Sequence, residues 1–454
     1  MKQIRLNAFV MNSVTHSYQG LWCHPRDHSL DYKDLRYWME FAKLLEKGKF
    51  DGIFLADSLG VHDVYGGSAE AALHGAVMIP KNDPSLLVPA MATVTTHLGF
   101  GITFSVLDEP PYAFARKIST LDHLTSGRVG WNIVTGYLES GAKARGDVQL
   151  TSHDERYVIA EEYMDVVYRL WESSWEDSAV RRDRENCIYT DPSKVHRIRH
   201  DGQYFKVDAV HMCEPSPQRT PVLYQAGASA KGMEFGAKHA ECVFVSGPQP
   251  SNVGRRVKKI REEAMKHGRD PYDIQALLSL TVITAPTDAE AQRKHQEYSR
   301  YIDRTGSLVR LSGFIGTDLS TLRLDDPIKG LPDNGGIQSI LENLTAARPD
   351  KAWTVSDVAN SLNPDGVHPL LIGSPQTVVD GLQRWVEEAD VDGFNLGVTV
   401  KPESMSDFVE LVVPELQRRG LYKTEYGQGT LREKLFAKGA KTAATHPSAQ
   451  YRRP

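Results

Sequence analysis

Eight short runs limit what this chain can fold into. LNAFV (6–10), GIFLAD (52–57), FGITFS (100–105), RVGWNIVTG (128–136), PVLYQAG (221–227), ECVFVSG (241–247), LLSLTVIT (277–284) and DGFNLGV (392–398) are largely apolar along both faces. Strands read this way when helices cover both sides of a parallel sheet. Segments of helical periodicity lie between them, including YKDLRYWMEFAKLLEKGKF (32–50), PSLLVPAMATVTTHL (84–98) and YAFARKISTLDHL (112–124). Eight strand candidates, most followed by a helix, predict an α/β fold: a (β/α)8 TIM barrel with insertion segments rather than an open doubly wound sheet. Two spacings, 137–220 and 303–368, exceed βα loops of roughly 2–6 residues and are predicted to be insertions on the barrel. The second contains the Gly- and Pro-rich piece KGLPDNGG.

Composition narrows the partners. A net charge of −5 with 24% charged residues gives no basic footprint, so no nucleic-acid partner is expected. No apolar run approaches the roughly 20 residues that span a bilayer. The start, MKQIRLNAFVMNSVTH, is interrupted by Arg5, Asn7 and Asn12 before a signal-peptide core forms. The expectation is a cytoplasmic chain without a membrane partner. Cys23, Cys187, Cys213 and Cys242 lie far apart with no C-x-x-C pair, which speaks against both a disulfide framework and a zinc knuckle. His196 and His200 have i,i+4 spacing but lack the Glu of H-E-x-x-H, so no metal is expected.

The stretch PVLYQAGASAKGMEFGAKHAE (221–241) runs from a strand through a glycine turn into a helix. A Walker loop needs Lys and Ser/Thr directly after its second glycine, but Met233 follows Gly232. A nucleophile elbow needs G-x-S-x-G, and here the second glycine falls one place late. Two readings stay open. Backbone N–H groups from Gly227 to Ala230, the Ser229 hydroxyl and the helix N-terminus jointly bind an anion, or Ser229 is simply an N-cap.

Other polar residues stand at predicted strand ends, where barrel active sites lie. Asp57 ends the second run, Thr103 and Ser105 end the third, and Asn132, Thr135 and Tyr137 fall at or near the end of the fourth. Asp57 serves either the mouth or a local turn. Asn132 is a polar amide in an apolar strand; its hydrogen-bond partner is either a ligand or neighbouring backbone. In HDERY, His153 and Tyr157 share one helical face, where they either grip a phosphate or ring system or form a helix-start pair.

Taken together, NAFVMNSVTH, EKGKFDGIFLAD, STLDHLTSGRVGWNIVT, HDERY, DPSKVHRIRHDGQYFKV, SPQRTPVLYQAGASAKG and VPELQRRGLYKTEYGQGTLREKL resemble the bacterial-luciferase-like flavin monooxygenases. The pattern is that of the nitrilotriacetate and dibenzothiophene-sulfone monooxygenase group, nearest to the long-chain alkane monooxygenases. The resemblance implies one luciferase-like barrel domain over 1–435, a C-terminal tail over 436–454, and a homodimer or homotetramer in which the first half of the segment 421–454 reaches over a neighbour while its last residues are loose. It implies reduced FMN delivered by a separate NAD(P)H-dependent flavin reductase, O2 as co-substrate, and a small apolar, organosulfur or alkane-like substrate. By resemblance, Asp57, Thr103, His153, Tyr157 and Ser229 stand at FMN-contacting positions, the phosphate falling near Tyr157 and the Gly227–Ser229–Ala230 turn. Asn132 and Tyr137 would lie near the flavin ring. His16 would face the reaction pocket as proton donor or hydrogen-bonding partner, since an imidazole titrates near neutrality.

The chain departs from the alkane-monooxygenase pattern twice. NSVTH stands in place of NCVGH, so Ser13 replaces a cysteine, and VTGY in place of VTSH, so Tyr137 replaces a histidine. Both fall at predicted strand ends and predict a more polar pocket. Two other readings fit the resemblance: a deazaflavin (F420)-dependent oxidoreductase of the same superfamily, and a flavin-binding protein without turnover.

Overall fold

The structure, a computed structural model, describes residues 2–227, 229–331, 351–360 and 368–453. Eight parallel strands form its centre: β1 (Arg5–Met11), β2 (Gly52–Ala56), β3 (Gly99–Ser105), β4 (Val129–Val134), β5 (Val222–Gln225), β6 (Cys242–Val245), β7 (Gln275–Thr284) and β8 (Gly393–Gly397). Each pairs with the next in chain order, and β8 returns to β1 through Leu6↔Phe394 and Ala8↔Leu396. That last pairing closes the sheet into a barrel and removes the open-sheet alternative. β7 is ten residues long; its first half closes the barrel, and its second half, Thr281–Thr284, carries a ninth strand, Leu370–Gly373.

The helices follow from the local sequence. In Leu35–Lys47 the Asp34 side chain caps the start by accepting from the Arg36 N–H, and Trp38, Phe41, Ala42 and Leu45 are buried at i, i+3, i+4 and i+7. Ser374 caps Pro375–Ala389 in the same way. The long spacing 137–220 holds the helices Glu139–Arg145 and His153–Tyr168 and two antiparallel hairpins, Val180–Asp183 with Ile188–Thr190 and Ile198–Asp201 with Lys206–Ala209. His153–Tyr168 inserts Tyr163 into an aromatic cluster with Phe114, Trp131 and Trp171. The spacing 303–368 contributes the helices Arg304–Ile315 and Val355–Ala359; 332–350 and 361–367, with most of KGLPDNGG, lie outside the described residues.

The C-terminal segment has a defined place in the fold. It packs onto its own barrel at the N-terminal ends of the strands, where Leu431 and Leu435 join Phe54, Val222, Tyr224, Cys242 and Leu277 in one buried cluster. Arg432 forms a two-pronged ion pair with Glu241, at 2.7 and 2.8 Å, and donates to the Thr220, Pro221 and Ala440 carbonyls. Further on, His446 bonds the His239 carbonyl at 2.8 Å and Arg452 reaches Glu172. This part of the chain is therefore a plug beneath the barrel. The apolar residues Leu431 and Leu435, too few to suggest a core by count, suffice because each is almost completely buried.

Among the described residues no helix is long and apolar enough to cross a membrane, and no three His, Cys, Asp or Glu side chains gather as a metal site. His196 and His200 each engage carboxylates, Glu176 for the first and Glu162 with Asp165 for the second.

Candidate active site

All eight strands point the same way, and a cavity of about 290 Å³ opens at their C-terminal ends. Its floor is aromatic: Phe54 lies between Phe9 and Phe244, with ring centroids 5.6 and 4.4 Å away. This surface excludes water from the inner part of the barrel mouth. One wall is polar. Thr103 and Asn132 are register partners on β3 and β4, and the Asn132 Nδ2 donates to the Thr103 Oγ1 at 3.0 Å. Among the described residues the Oδ1 atoms of Asn132 and of Asn395 on β8 are buried without a hydrogen-bond partner, and both residues line the cavity. A buried acceptor left unmet costs about 1–3 kcal/mol, so each is suited to a ligand donor.

The titratable residues stand on the loops after β1, β2 and β4. Burial pushes the Asp57 carboxyl up to about 6, against the opposing charge of Lys81. Lys81 donates to the carbonyl and hydroxyl of Ser58, which also lines the cavity. Burial, reinforced by the positive charges of Arg310 and Lys401, holds the His16 imidazole well below its ordinary value, so it is neutral at pH 7. Its ring meets the edge of Phe9 at 4.4 Å. Burial raises the Tyr137 phenol to about 12, and its hydroxyl lies 3.4 Å from the His62 Nε2. Burial also drives His62 down to about 3, so the pair is neutral. Phe314 and Arg310, from the helix Arg304–Ile315, close this side.

A second group adjoins the cavity at Gly227 and Met233. The Ser229 hydroxyl caps the helix Ala230–His239 by accepting from the Gly232 N–H at 3.0 Å, and the Gln225 side chain accepts from the Gly227 N–H at 2.7 Å. Tyr157 points its hydroxyl at Ser229 and Gln225. A Cβ at Gly232 would fall 2.7 Å from that hydroxyl and 2.8 Å from the Gly227 Cα, so only glycine lets the two helix starts approach. The His153 ring packs edge-on to Tyr157 with centroids 5.2 Å apart.

The match with known proteins spans this whole arrangement. Residues 14–393 match the family described as luciferase-like monooxygenase. The chain belongs to the luciferase-like monooxygenases. It is 49% identical over 452 residues to the long-chain alkane monooxygenase of Geobacillus thermodenitrificans strain NG80-2, covering 99% of this chain and 98% of that protein. It is 47% identical over 452 residues to the dimethyl-sulfide monooxygenase of Hyphomicrobium sulfonivorans, covering 99% and 94%. The crystal structure of a long-chain alkane monooxygenase matches with a TM-score of 0.92 at 48% identity, covering 100% of both chains. An F420-dependent secondary alcohol dehydrogenase shares the fold alone, at 16% identity and a TM-score of 0.58, which leaves the deazaflavin reading with the weaker support.

In this monooxygenase His16, Asp57, Thr103, Asn132, Tyr137 and Gly227 line one cavity, and His153, Tyr157, Ser229 and Ala230 form the helix-start group beside it. Ser13 and Ser105 stand apart. The Ser13 hydroxyl donates to the Thr15 carbonyl at 2.5 Å and its backbone bridges to Lys81, so its side chain serves the loop after β1. Ser105 accepts from the Leu107 N–H at 3.1 Å and shapes the turn after β3. Sequence reasoning missed Asn395, although NL in DGFNLGV carries the same signal as Asn132, a lone amide in an apolar strand. It also missed His62, Lys81, Arg310 and Phe314, which lie on loops and an insertion where no periodicity marks them.

Proposed function

We propose that this monooxygenase is the oxygenase component of a two-component system, binding reduced FMN supplied by a separate NAD(P)H-dependent reductase and using O2 to oxygenate a small organosulfur or alkane-like substrate. The observation that carries the reading is the pair of unmet acceptors, the Oδ1 atoms of Asn132 and Asn395, inside a cavity that adjoins the Tyr157–Ser229 helix starts. A flavin ring offers donors to such amides, and a phosphate suits the positive ends of two helices. Reduced flavin, when bound, supplies the electrons that activate O2. The chain's residues do the rest. Thr103 fixes the Asn132 amide, Phe9, Phe54 and Phe244 exclude water, and the Tyr157–Ser229 group holds the phosphate end. His16, being neutral, acts as a hydrogen-bonding group rather than as an imidazolium acid, and Tyr137, protonated at neutral pH, offers its hydroxyl to substrate.

The test is a reaction containing the protein, a flavin reductase, NADH, FMN and O2, with dimethyl sulfide, an aryl sulfone, a nitrilotriacetate-type acid and hexadecane supplied separately. Product masses should show one added oxygen, or the fragment left after oxygenation, for a sulfur compound. NADH and O2 consumption with no oxygenated product from any class would defeat the proposal.

A further inference from the structure

The insertion helix Arg304–Ile315 brings a guanidinium to the cavity, and the contacts on either side of it fix where it stands. The Arg310 Nη1 donates to the Ser17 carbonyl at 3.4 Å, and the Ser17 hydroxyl lies 3.4 Å from the His16 Nδ1. On its other side the Arg310 Cζ lies 4.8 Å from the centroid of the Phe314 ring, which packs on Tyr137 with centroids 5.6 Å apart. Arg310 therefore stands between His16 and Tyr137, and all three residues line the cavity. It has a further interaction within the fold. A guanidinium, with five N–H donors in one plane, serves more than one group at once.

Charge and donor count make this side of the mouth a place for an anion. The groups that bear most on His16 are Arg310, Lys401, His368 and Lys81, each of them basic. Among the described residues Asp57 is the one carboxyl that lines the cavity; it accepts from the Ser58 N–H at 2.8 Å and is opposed by Lys81. The guanidinium, a neutral imidazole and a phenol all offer donors. A neutral alkane or dialkyl sulfide seated against them strips their water and gives no strong acceptor in return, whereas an oxyanion replaces that water with charge-assisted hydrogen bonds. This position is separate from the Ser229 turn. That turn follows β5, whereas His16 and Ser17 follow β1, on the opposite side of an eight-stranded barrel.

We propose that the substrate carries an oxyanion, a sulfonate or carboxylate on a short apolar body, and that Arg310 binds it with His16 and Tyr137 as hydrogen-bonding partners. This rests on the reading of the protein as a flavin-dependent oxygenase and narrows its substrate. Phe9 and Phe54 on the cavity floor suit the apolar body.

The test sets each anion against a neutral molecule of nearly the same shape: butanesulfonate against butyl methyl sulfone, and pentanoate against butyl methyl ketone. Affinities are measured by calorimetry on the protein with and without FMN, for wild type, Arg310→Gln and Arg310→Lys. Wild type should bind at least one anion roughly 10-fold or more tightly than its neutral counterpart, and the pair that shows this names the head group. Arg310→Gln should cut that preference roughly 10- to 100-fold while the neutral compounds stay within about twofold of wild type, and Arg310→Lys should recover part of it. A wild type that binds both members of each pair equally, or prefers the neutral ones, overturns the proposal whether or not the variants fold. So does a preference that survives Arg310→Gln. Binding needs no turnover, so the two readings fail separately when reductase, NADH, FMN and O2 are added. Anions held through Arg310 but never oxygenated, like every other compound tried, leave the anion site and remove the oxygenase reading. Neutral compounds oxygenated with the higher kcat/KM in both pairs remove the anion site and leave the oxygenase.

Discussion

The Asn132 Nδ2 donates to the Thr103 Oγ1 at 3.0 Å across two paired barrel strands, and this bond decides which face of the amide looks into the cavity. With the NH2 end occupied, the Oδ1 is presented to a ligand without a partner of its own. Thr103→Val removes the acceptor while keeping the shape, so the amide can rotate. FMN and riboflavin affinities should then fall together, by about 3- to 10-fold, since one neutral hydrogen bond is worth about 1 kcal/mol. Flavin fluorescence titration measures both. A loss for FMN alone would move Thr103 to the phosphate end and refute its role at the ring.

Asp57 supplies a pH dependence. Its carboxyl titrates at about 6 in the folded protein against an ordinary value of 3.8. The folded state therefore holds the proton more tightly than the unfolded chain. The resulting stabilisation is fully present below about pH 4 and lost as pH rises through 6. Above pH 7 the apoprotein carries a half-buried carboxylate that the Lys81 charge and the Ser58 N–H compensate only in part, and Asp57→Asn should stabilise it by about 1–3 kcal/mol there. Urea unfolding at pH 5 and pH 8 tests this. A variant no more stable than wild type at pH 8 would remove the desolvation account.

How much of this was legible beforehand differs by element. All eight barrel strands were readable because each is buried on two faces, and a run such as LLSLTVIT has no other stable setting. Asp57, Thr103, Asn132 and Tyr137 were readable because a polar residue at the end of such a run must face the mouth. Ser13 and Ser105 carried the same sign, yet their side chains serve local turns, since a hydroxyl that finds a carbonyl or N–H two residues away needs no ligand. Arg310 and Phe314 were not readable. Their place at the cavity depends on how an insertion folds back, which no local pattern encodes.

The plug beneath the barrel yields a stability prediction. Arg432 and Glu241 are both buried, and four protein oxygens other than one Glu241 carboxylate oxygen surround the guanidinium. Arg432→Met leaves Glu241 buried with its charge unmatched, which should cost about 3–5 kcal/mol in urea unfolding. Replacing both, Arg432→Met with Glu241→Gln, should recover part of that loss. Truncation after Leu435 should also destabilise, because it removes His446 and Arg452 from His239 and Glu172. A truncated protein with the wild-type urea midpoint would show these contacts to be idle.

The two departures from the alkane-monooxygenase pattern have unequal consequences. Ser13 turns its hydroxyl to the Thr15 carbonyl, away from the cavity, so Ser13→Cys should leave substrate preference unchanged. Tyr137 lines the cavity, and its hydroxyl is steadied by the His62 Nε2 at 3.4 Å, with His62 wedged against Phe314 at a centroid distance of 5.5 Å. Both groups are neutral at pH 7, so the phenol presents a hydrogen bond rather than a charge. With the His62 Nε2–H as donor in that contact, the phenol proton is free for a sulfur compound that bears an oxygen acceptor, whereas an alkane offers it no acceptor. Tyr137→Phe removes the hydroxyl and keeps the ring. The ratio of kcat/KM for an aryl sulfone over hexadecane should fall about 5- to 100-fold, the range one pocket contact supplies. The change should lie mainly in the sulfone, with the alkane equal or improved. If Tyr137→Phe lowers both substrates equally, the hydroxyl serves the shared chemistry and not selectivity; if Ser13→Cys alone shifts the ratio, the assignment of the two departures is reversed.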